Sequence, residues 1–206
     1  MRNTEAAGTT GVVLAAGYGA RLGRGPKALL PYRGRPLVEA VAEALLGGGC
    51  REVVVVLGAG AQDVLAAARL DGCRTVVNEE WQSGMGSSLL LGNAATDPRD
   101  HLMIALVDQP GLSSLAVERL LASHRPGRVT AAAYDDGAAA ADGGLRRGHP
   151  LVIDTSLRQA VAATVMGDAG ARAFLRSHPE LVDEVDCSDL SSGLDVDTPE
   201  QLYLLG

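Results

Sequence analysis

Five consecutive apolar residues, Val53-Val54-Val55-Val56-Leu57, constrain the fold of this chain more than any other feature. A strand with one wet face alternates apolar and polar residues, because successive side chains point to opposite faces. An unbroken β-branched run has no wet face and reads as a central strand covered on both sides. Residues 11–16, Gly-Val-Val-Leu-Ala-Ala, read the same way. Helical periodicity follows at 37–46, stopped by three glycines at 47–49, and again at 61–70. Further strands are predicted over 74–77, 101–107, 129–134, 151–153 and 182–186. Further helices are predicted over 87–95, up to His124 with Ser113 or Ser114 as cap, over 155–165 and 169–177, and from Thr198 with Pro199 early in the helix. Alternation of this kind specifies an α/β protein, a three-layer α/β/α Rossmann-like arrangement around a mostly parallel sheet.

The chain has 206 residues, 47% hydrophobic and 21% charged, which suits one globular domain with a sizeable core. That domain is expected over 11–206, behind a polar, flexible N-terminus at 1–10 that lacks the apolar core of a signal peptide. The formal net charge of −7 argues against a nucleic-acid or anionic-membrane surface, both of which need a basic field. No apolar run reaches the roughly 20 residues of a membrane-spanning helix. Cys50, Cys73 and Cys187 are scattered, without metal-site spacing, and read as reduced, buried thiols of a cytoplasmic protein.

The segment most suggestive of chemistry follows the first strand: Leu14-Ala15-Ala16-Gly17-Tyr18-Gly19-Ala20-Arg21-Leu22-Gly23-Arg24-Gly25-Pro26-Lys27. Glycines let a backbone approach a ligand and turn N–H groups toward phosphate oxygens. Arg21, Arg24 and Lys27 add cations suited to a triphosphate. No Gly-Lys-Ser/Thr closes the loop, so it is not a P-loop. Nor does it match a dinucleotide fingerprint: the third glycine comes one residue late, and the second strand ends in Leu57-Gly58 without an acidic residue for a ribose. On its glycines alone the segment is equally compatible with a plain structural loop.

The loop nevertheless resembles the LAAGxGxRLGxxPKALLP signature of the MobA-like NTP transferases, which share the wider sugar-nucleotide pyrophosphorylase fold. The resemblance runs along nearly the whole chain. Residues 78–89, beginning Asn78-Glu79-Glu80-Trp81 and including Gly84-Met85-Gly86-Ser87-Ser88, resemble the family's NPxWxxGMxxSL segment. Leu106-Val107-Asp108-Gln109-Pro110 resembles its DQP segment. Gly148-His149-Pro150, Gly167-Asp168-Ala169-Gly170-Ala171-Arg172 and Asp195-Val196-Asp197-Thr198-Pro199 follow in the family's order. LAAG rather than LAGG in the first loop is most similar to the molybdenum-cofactor cytidylyltransferase branch. Two departures concern the acceptor side: Glu79 stands where the family has Pro, and residues 138–141 are low in complexity.

The resemblance implies a nucleotidyltransferase that moves an NMP, CMP from CTP being favoured, to a phosphorylated acceptor, with molybdopterin implied. It also implies a molybdoenzyme or its chaperone as a protein partner. Such transfer needs alignment, charge neutralisation and a metal rather than covalent catalysis by the protein. Asp108 and Asp197 are the candidate ligands for Mg²⁺, with Mn²⁺ as the alternative ion. Asp108 also reads as a turn residue before Pro110, and Asp197 equally as a helix cap before Thr198-Pro199-Glu200. Asp195 would share a face with Asp197 in extended chain. Arg21 and Lys27 would neutralise the phosphates, alongside Asp108 as the catalytic set. Leu14, Ala15, Ala16, Gly17 and Gly19 would cradle the nucleotide. Asn78, Gly84, Ser87 and Ser88 would contact base and ribose, Asn78 offering both a donor and an acceptor. Trp81 reads as packing against the loop. His149, Asp168, Arg172 and Asp195 are candidates for the acceptor side, with Asp168 and Arg172 also placed to cap and position a helix.

Two other function classes fit the same residues. Some relatives carry a nicotine-blue-type reductase label, and an NAD(P)H-dependent oxidoreductase would use the loop for dinucleotide phosphates without a metal pair. A non-catalytic binding protein would hold nucleotide or cofactor without turnover.

Overall fold

The computed structural model describes residues 7–135 and 144–206. Most of the expected flexible N-terminus, at 1–6, and the low-complexity stretch 138–141 lie outside the described residues. Seven strands form one sheet in the order β5-β4-β1-β6-β8-β7-β9. They are β1 (Thr9–Ala15), β4 (Glu52–Leu57), β5 (Cys73–Val77), β6 (His101–Leu106), β7 (Val129–Asp135), β8 (Leu145–Ile153) and β9 (Val182–Asp186). All neighbours pair in parallel except around β8, which runs antiparallel to β6 and β7. A two-stranded ribbon, β2 (Pro31–Tyr32) and β3 (Arg35–Pro36), stands apart.

The helices are α1 (Leu37–Gly47), α2 (Ala61–Ala67), α3 (Met85–Ala94), α4 (Ser114–Ser123), α5 (Arg158–Thr164) and α6 (Arg172–Ser177). They cover the sheet from both sides, and the apolar run explains how. Val53, Val55 and Leu57 join Val13 under Leu37, Val41 and Leu45 of α1, Val64 of α2, and Val117 and Leu120 of α4. Val54 and Val56 join Val12 and Leu14 on the other side, under Leu89 of α3, Val161 of α5 and Phe174 of α6. Every residue of the run is fully buried, as a doubly covered strand requires. Among the described residues no helix is long and apolar enough to cross a membrane.

The departures from the sequence reading are local. β1 begins at Thr9, two residues early, because Thr10 is buried and donates to Asp100 Oδ2 at 2.6 Å. β8 is nine residues long rather than three: its polar first half, through Arg146 and Arg147, pairs with Ala133, Tyr134 and Asp135 of β7. Gly170, at φ +51°, delays α6 to Arg172. The last helix is a 3-10 segment, Pro199–Leu205. Ser113 caps α4, its side chain accepting from the Ala116 N–H. Cys50 and Cys187 are buried free thiols, while Cys73 at the edge is only half-buried.

The sheet order places a site before any side chain is considered. From β1 the chain builds outward through β4 and β5, then crosses to the other side of β1 to lay down β6. The connections after β1 and β6 diverge at that reversal and leave a crevice at the carboxyl ends of both strands.

Candidate functional site

A cleft of about 670 Å³ opens at that reversal. On one wall is the loop after β1. A Cβ built on Gly17 would meet nothing within 4 Å, so protein packing gives no reason for a glycine there; close approach by a ligand does. The loop closes on itself through the Lys27 N–H donating to the Gly17 carbonyl, at 3.4 Å. A 3-10 turn at Lys27–Leu29 then presents the Lys27 amine to the floor.

Two strand ends supply the carboxylates. Asp108 follows β6, and its carbonyl accepts from the Val196 N–H at 2.8 Å. That bond lays residues 195–197 across the end of the sheet. Val196 is fully buried, while Asp195 and Asp197 both face the cleft, as extended chain demands. Lys27 Nζ lies 2.7 Å from Asp108 Oδ2 and also donates to Asp197 Oδ1. Burial alone would lower the Lys27 pKa, but the charge and hydrogen bond of Asp108, followed by those of Asp197, hold it above its ordinary value. Asp195 Oδ1 accepts from Gln109 Nε2 at 2.8 Å. Burial, then the charge of Asp108, push the Asp195 carboxyl upward despite that bond.

These carboxylates fit a hard divalent cation. Asp108 Oδ1 is buried without a hydrogen-bond partner among the described residues. An unpaired acceptor inside a wall of oxygen ligands is what a bound cation would satisfy. Of the two readings of Asp197, capping belongs to its neighbour: Thr198 forms a capping box with Gln201, and the Asp197 N–H donates to Gln201 Oε1 at 2.9 Å. The Asp197 carboxylate is left for Lys27 or for a cation.

The cleft brings together Leu14, Ala16, Gly17, Gly19, Arg21 and Lys27 from the first segment. It also collects Gly84, Ser88, Asp108, Asp168, Arg172, Asp195 and Asp197. Ala15 is not among them: as the last residue of β1 it is buried in the core. Asn78 is held by protein groups. It is buried, its two amide protons go to Ser87 Oγ and Ser88 Oγ, and its carbonyl accepts from the Glu80 N–H. No N–H remains for a base edge, so Asn78 positions the start of α3. Ser87 is engaged likewise, donating to the Gly84 carbonyl at 2.9 Å. Asp168 does cap a helix, and the helix is α3: its Oδ1 accepts from the Met85 N–H at 3.2 Å. His149 is half-buried and does not line the cleft; burial, then the nearby Arg172 cation, push its imidazole down to about 4.

Sequence reasoning passed over Gln109, whose side chain sets the position of Asp195. The signal was present in the DQP segment. Trp81 packs over Gly58, as its neighbourhood with Ala16 shows, and also forms part of the cleft wall.

Comparison with known proteins agrees with this geometry. The model of the MobA-like NTP transferase domain matches residues 11–182. The chain is 62% identical over 205 residues to a nicotine blue oxidoreductase of Paenarthrobacter nicotinovorans, covering all of both proteins. It is 31% identical over 195 residues to a molybdenum cofactor guanylyltransferase of Xanthomonas euvesicatoria, covering 93% of this chain and 91% of that protein. Among solved structures, Rv0371c from Mycobacterium tuberculosis superposes with a TM-score of 0.79 at 32% identity, covering 97% of each chain. A manganese complex of Rv0371c superposes at 0.77 with 30% identity, covering 96% of this chain and 98% of that one. With the family model matching residues 11–182 and the guanylyltransferase related along nearly its whole length, the chain belongs to the MobA-like NTP transferases.

Proposed function

We propose that this protein is a nucleotidyltransferase that uses the Gly17–Lys27 loop to hold an NTP and the Asp108–Asp197 pair to hold a divalent cation. The observation that carries the reading is the buried, unpaired Oδ1 of Asp108 beside a lysine-bridged second carboxylate. Hydride transfer has no use for such an atom. The bound cation, Mg²⁺ or the Mn²⁺ found with Rv0371c, would draw charge from the α-phosphate. Lys27 and Arg21 neutralise the triphosphate and the departing pyrophosphate. An acceptor phosphate oxygen attacks the α-phosphorus in line, the bond to the β-phosphate bridging oxygen breaks, and pyrophosphate leaves. Arg172 and Asp168, on the cleft wall, meet the acceptor. CTP is the proposed donor and a molybdopterin-type phosphate the proposed acceptor, in a cytoplasmic setting. The direct test incubates the protein with each of the four NTPs, Mg²⁺ or Mn²⁺ and the pterin acceptor. Pyrophosphate release with one NTP supports the reading; none with any combination overturns it.

A second reading is favoured by a specific observation. Identity to the nicotine blue oxidoreductase is 62% over both whole chains, twice that to the guanylyltransferase. In that reading the loop holds the phosphates of NAD(P)H, and a dye of the nicotine-blue type takes the place of the acceptor. The two readings share the phosphate cradle and part at the metal. Nucleotide-dependent bleaching of such a dye that persists in EDTA, and in an Asp108→Asn/Asp197→Asn protein, would establish the reductase and displace the transferase.

A further inference from the structure

At the opposite end of the sheet from the cleft, three side chains from distant parts of the chain meet. His101 opens β6, His124 follows the last residue of α4, and Asp154 follows β8. One ligand atom from each of the three residues lies within 4.8 Å of the other two. Asp154 Oδ2 is 3.3 Å from His101 Nδ1 and 3.8 Å from His124 Nε2. The two rings meet edge to face, with centroids 4.8 Å apart.

The protons around this cluster are what make it a site. His101 Nδ1 accepts from the Thr155 N–H at 3.2 Å, so it carries no proton, and a cation would take that lone pair over from Thr155. His124 Nδ1 lies 2.8 Å from Thr130 Oγ1. With the proton on that nitrogen, Nε2 is bare, and Nε2 is a buried atom without a partner among the described residues. A proton on Nε2 would not help: the carboxylate at 3.8 Å is beyond hydrogen-bond reach. Asp154 Oδ1 is occupied by the Ser156 N–H at 2.9 Å and the Ser156 hydroxyl at 2.5 Å, which holds Oδ2 toward the histidines. His124 Nε2 therefore faces His101 Nδ1 and Asp154 Oδ2 without a donor of its own among the described residues. The His124 side chain is 7% exposed and that of Asp154 also 7%, so water does not supply it freely.

We infer that His101, His124 and Asp154 bind a divalent cation of the zinc class. Ligand atoms around tetrahedral zinc, with bonds of about 2.0–2.1 Å, stand roughly 3.3 Å apart, close to the spacing at Asp154. Two imidazoles and a carboxylate match zinc better than magnesium. The Thr130 contact to His124 and the Ser156 contacts to Asp154 are the outer partners that orient metal ligands. His101, its side chain 19% exposed, leaves the fourth position toward solvent. The ion would staple the start of β6, the end of α4 and the junction of β8 with α5. It lies far from the cleft and plays no part in the chemistry proposed there.

The test uses the full chain with Asp108→Asn and Asp197→Asn, which removes the carboxylate pair of the cleft. This protein is loaded with Zn²⁺ or Co²⁺, desalted, and assayed for metal by elemental analysis and for Co²⁺ by its visible d–d bands. One equivalent of Zn²⁺, the intense bands of a low-coordinate Co²⁺ site, and a higher melting temperature with Zn²⁺ are expected. Adding His124→Gln should weaken Zn²⁺ binding more than about a hundredfold and abolish the melting shift. If that variant does not fold by circular dichroism, the more exposed His101→Gln is read in the same way. No stoichiometric zinc in the Asp108→Asn/Asp197→Asn protein, or zinc that survives the histidine substitution, overturns the inference.

Discussion

Replacing Asp108 by Asn keeps the size of the side chain and removes the charge that both Lys27 and a cation would use. Turnover in the transferase reading should fall by about 10³-fold or more, while nucleotide affinity, held largely by the loop, should change far less. Steady-state kinetics beside calorimetric titration checks the split. Equal losses in both would make Asp108 a binding residue only. His149 offers a pH measurement. Its pKa is pushed down from 6.5 to about 4, so the unfolded chain binds more protons between those values. Its contribution to stability is whole above about 6.5 and is lost as the pH falls toward about 4. Denaturant midpoints of the wild type should drop across that window, and His149→Gln should drop less. At this scale, charge was legible and hydrogen bonding was not. Lys27, Asp108 and Asp197, singled out by their charge, meet in one cleft. At Asn78 the same amide could serve a base edge or protein partners, and in this structure it bonds Ser87, Ser88 and the Glu80 N–H. His101, His124 and Asp154 form no local motif, so nothing in the linear order brings them together.

The start of α3 is where elements and site meet. Gly84, at φ +113°, precedes the helix, and a Cβ there would sit 2.6 Å from the Gly167 carbonyl carbon. Gly84→Ala therefore meets both a backbone penalty and a backbone clash, together about 1–3 kcal/mol or more. It should also push the 167–170 turn away and break the Asp168 bond to the Met85 N–H. Urea melts and acceptor KM should both move; a change in stability alone would mean that the turn is not part of the acceptor side. Elements with strong apolar periodicity, such as β4, β6, α1 and α4, were legible to within one or two residues. β8 was not, because its first half pairs through backbone while carrying arginines, one of them in a salt bridge to Glu184. Of the short helices expected, α6 starts three residues late, behind Gly170, and the segment that Pro199 opens is 3-10 rather than α.

Across the whole molecule, the cleft joins loops from segments far apart in sequence, so occupancy should be felt as global stability. A nucleotide at 100 times its Kd, supplied with Mg²⁺, would add about 2.7 kcal/mol. For a chain of this size that is a rise in Tm of roughly 5–10 °C. Thermal melts with each NTP, and with NADPH in parallel, would rank the candidates; no shift with any would mean that none binds. The architecture was the most legible level of all, since one unbroken apolar strand already demands a sheet covered on both faces. The same sheet has a consequence for how the protein is made. β1 is an interior strand, between β4 and β6, and its partner β6 arrives late: Thr10 and Asp100, 90 residues apart, are bonded beside that pairing. On the ribosome β1 emerges with β4 close behind, but its other edge stays bare until β6 follows. Non-local parallel pairing is slow to form. Nascent chains are thus most vulnerable to clumping midway through synthesis, and slower translation or a chaperone acting in that interval should raise the yield of native protein.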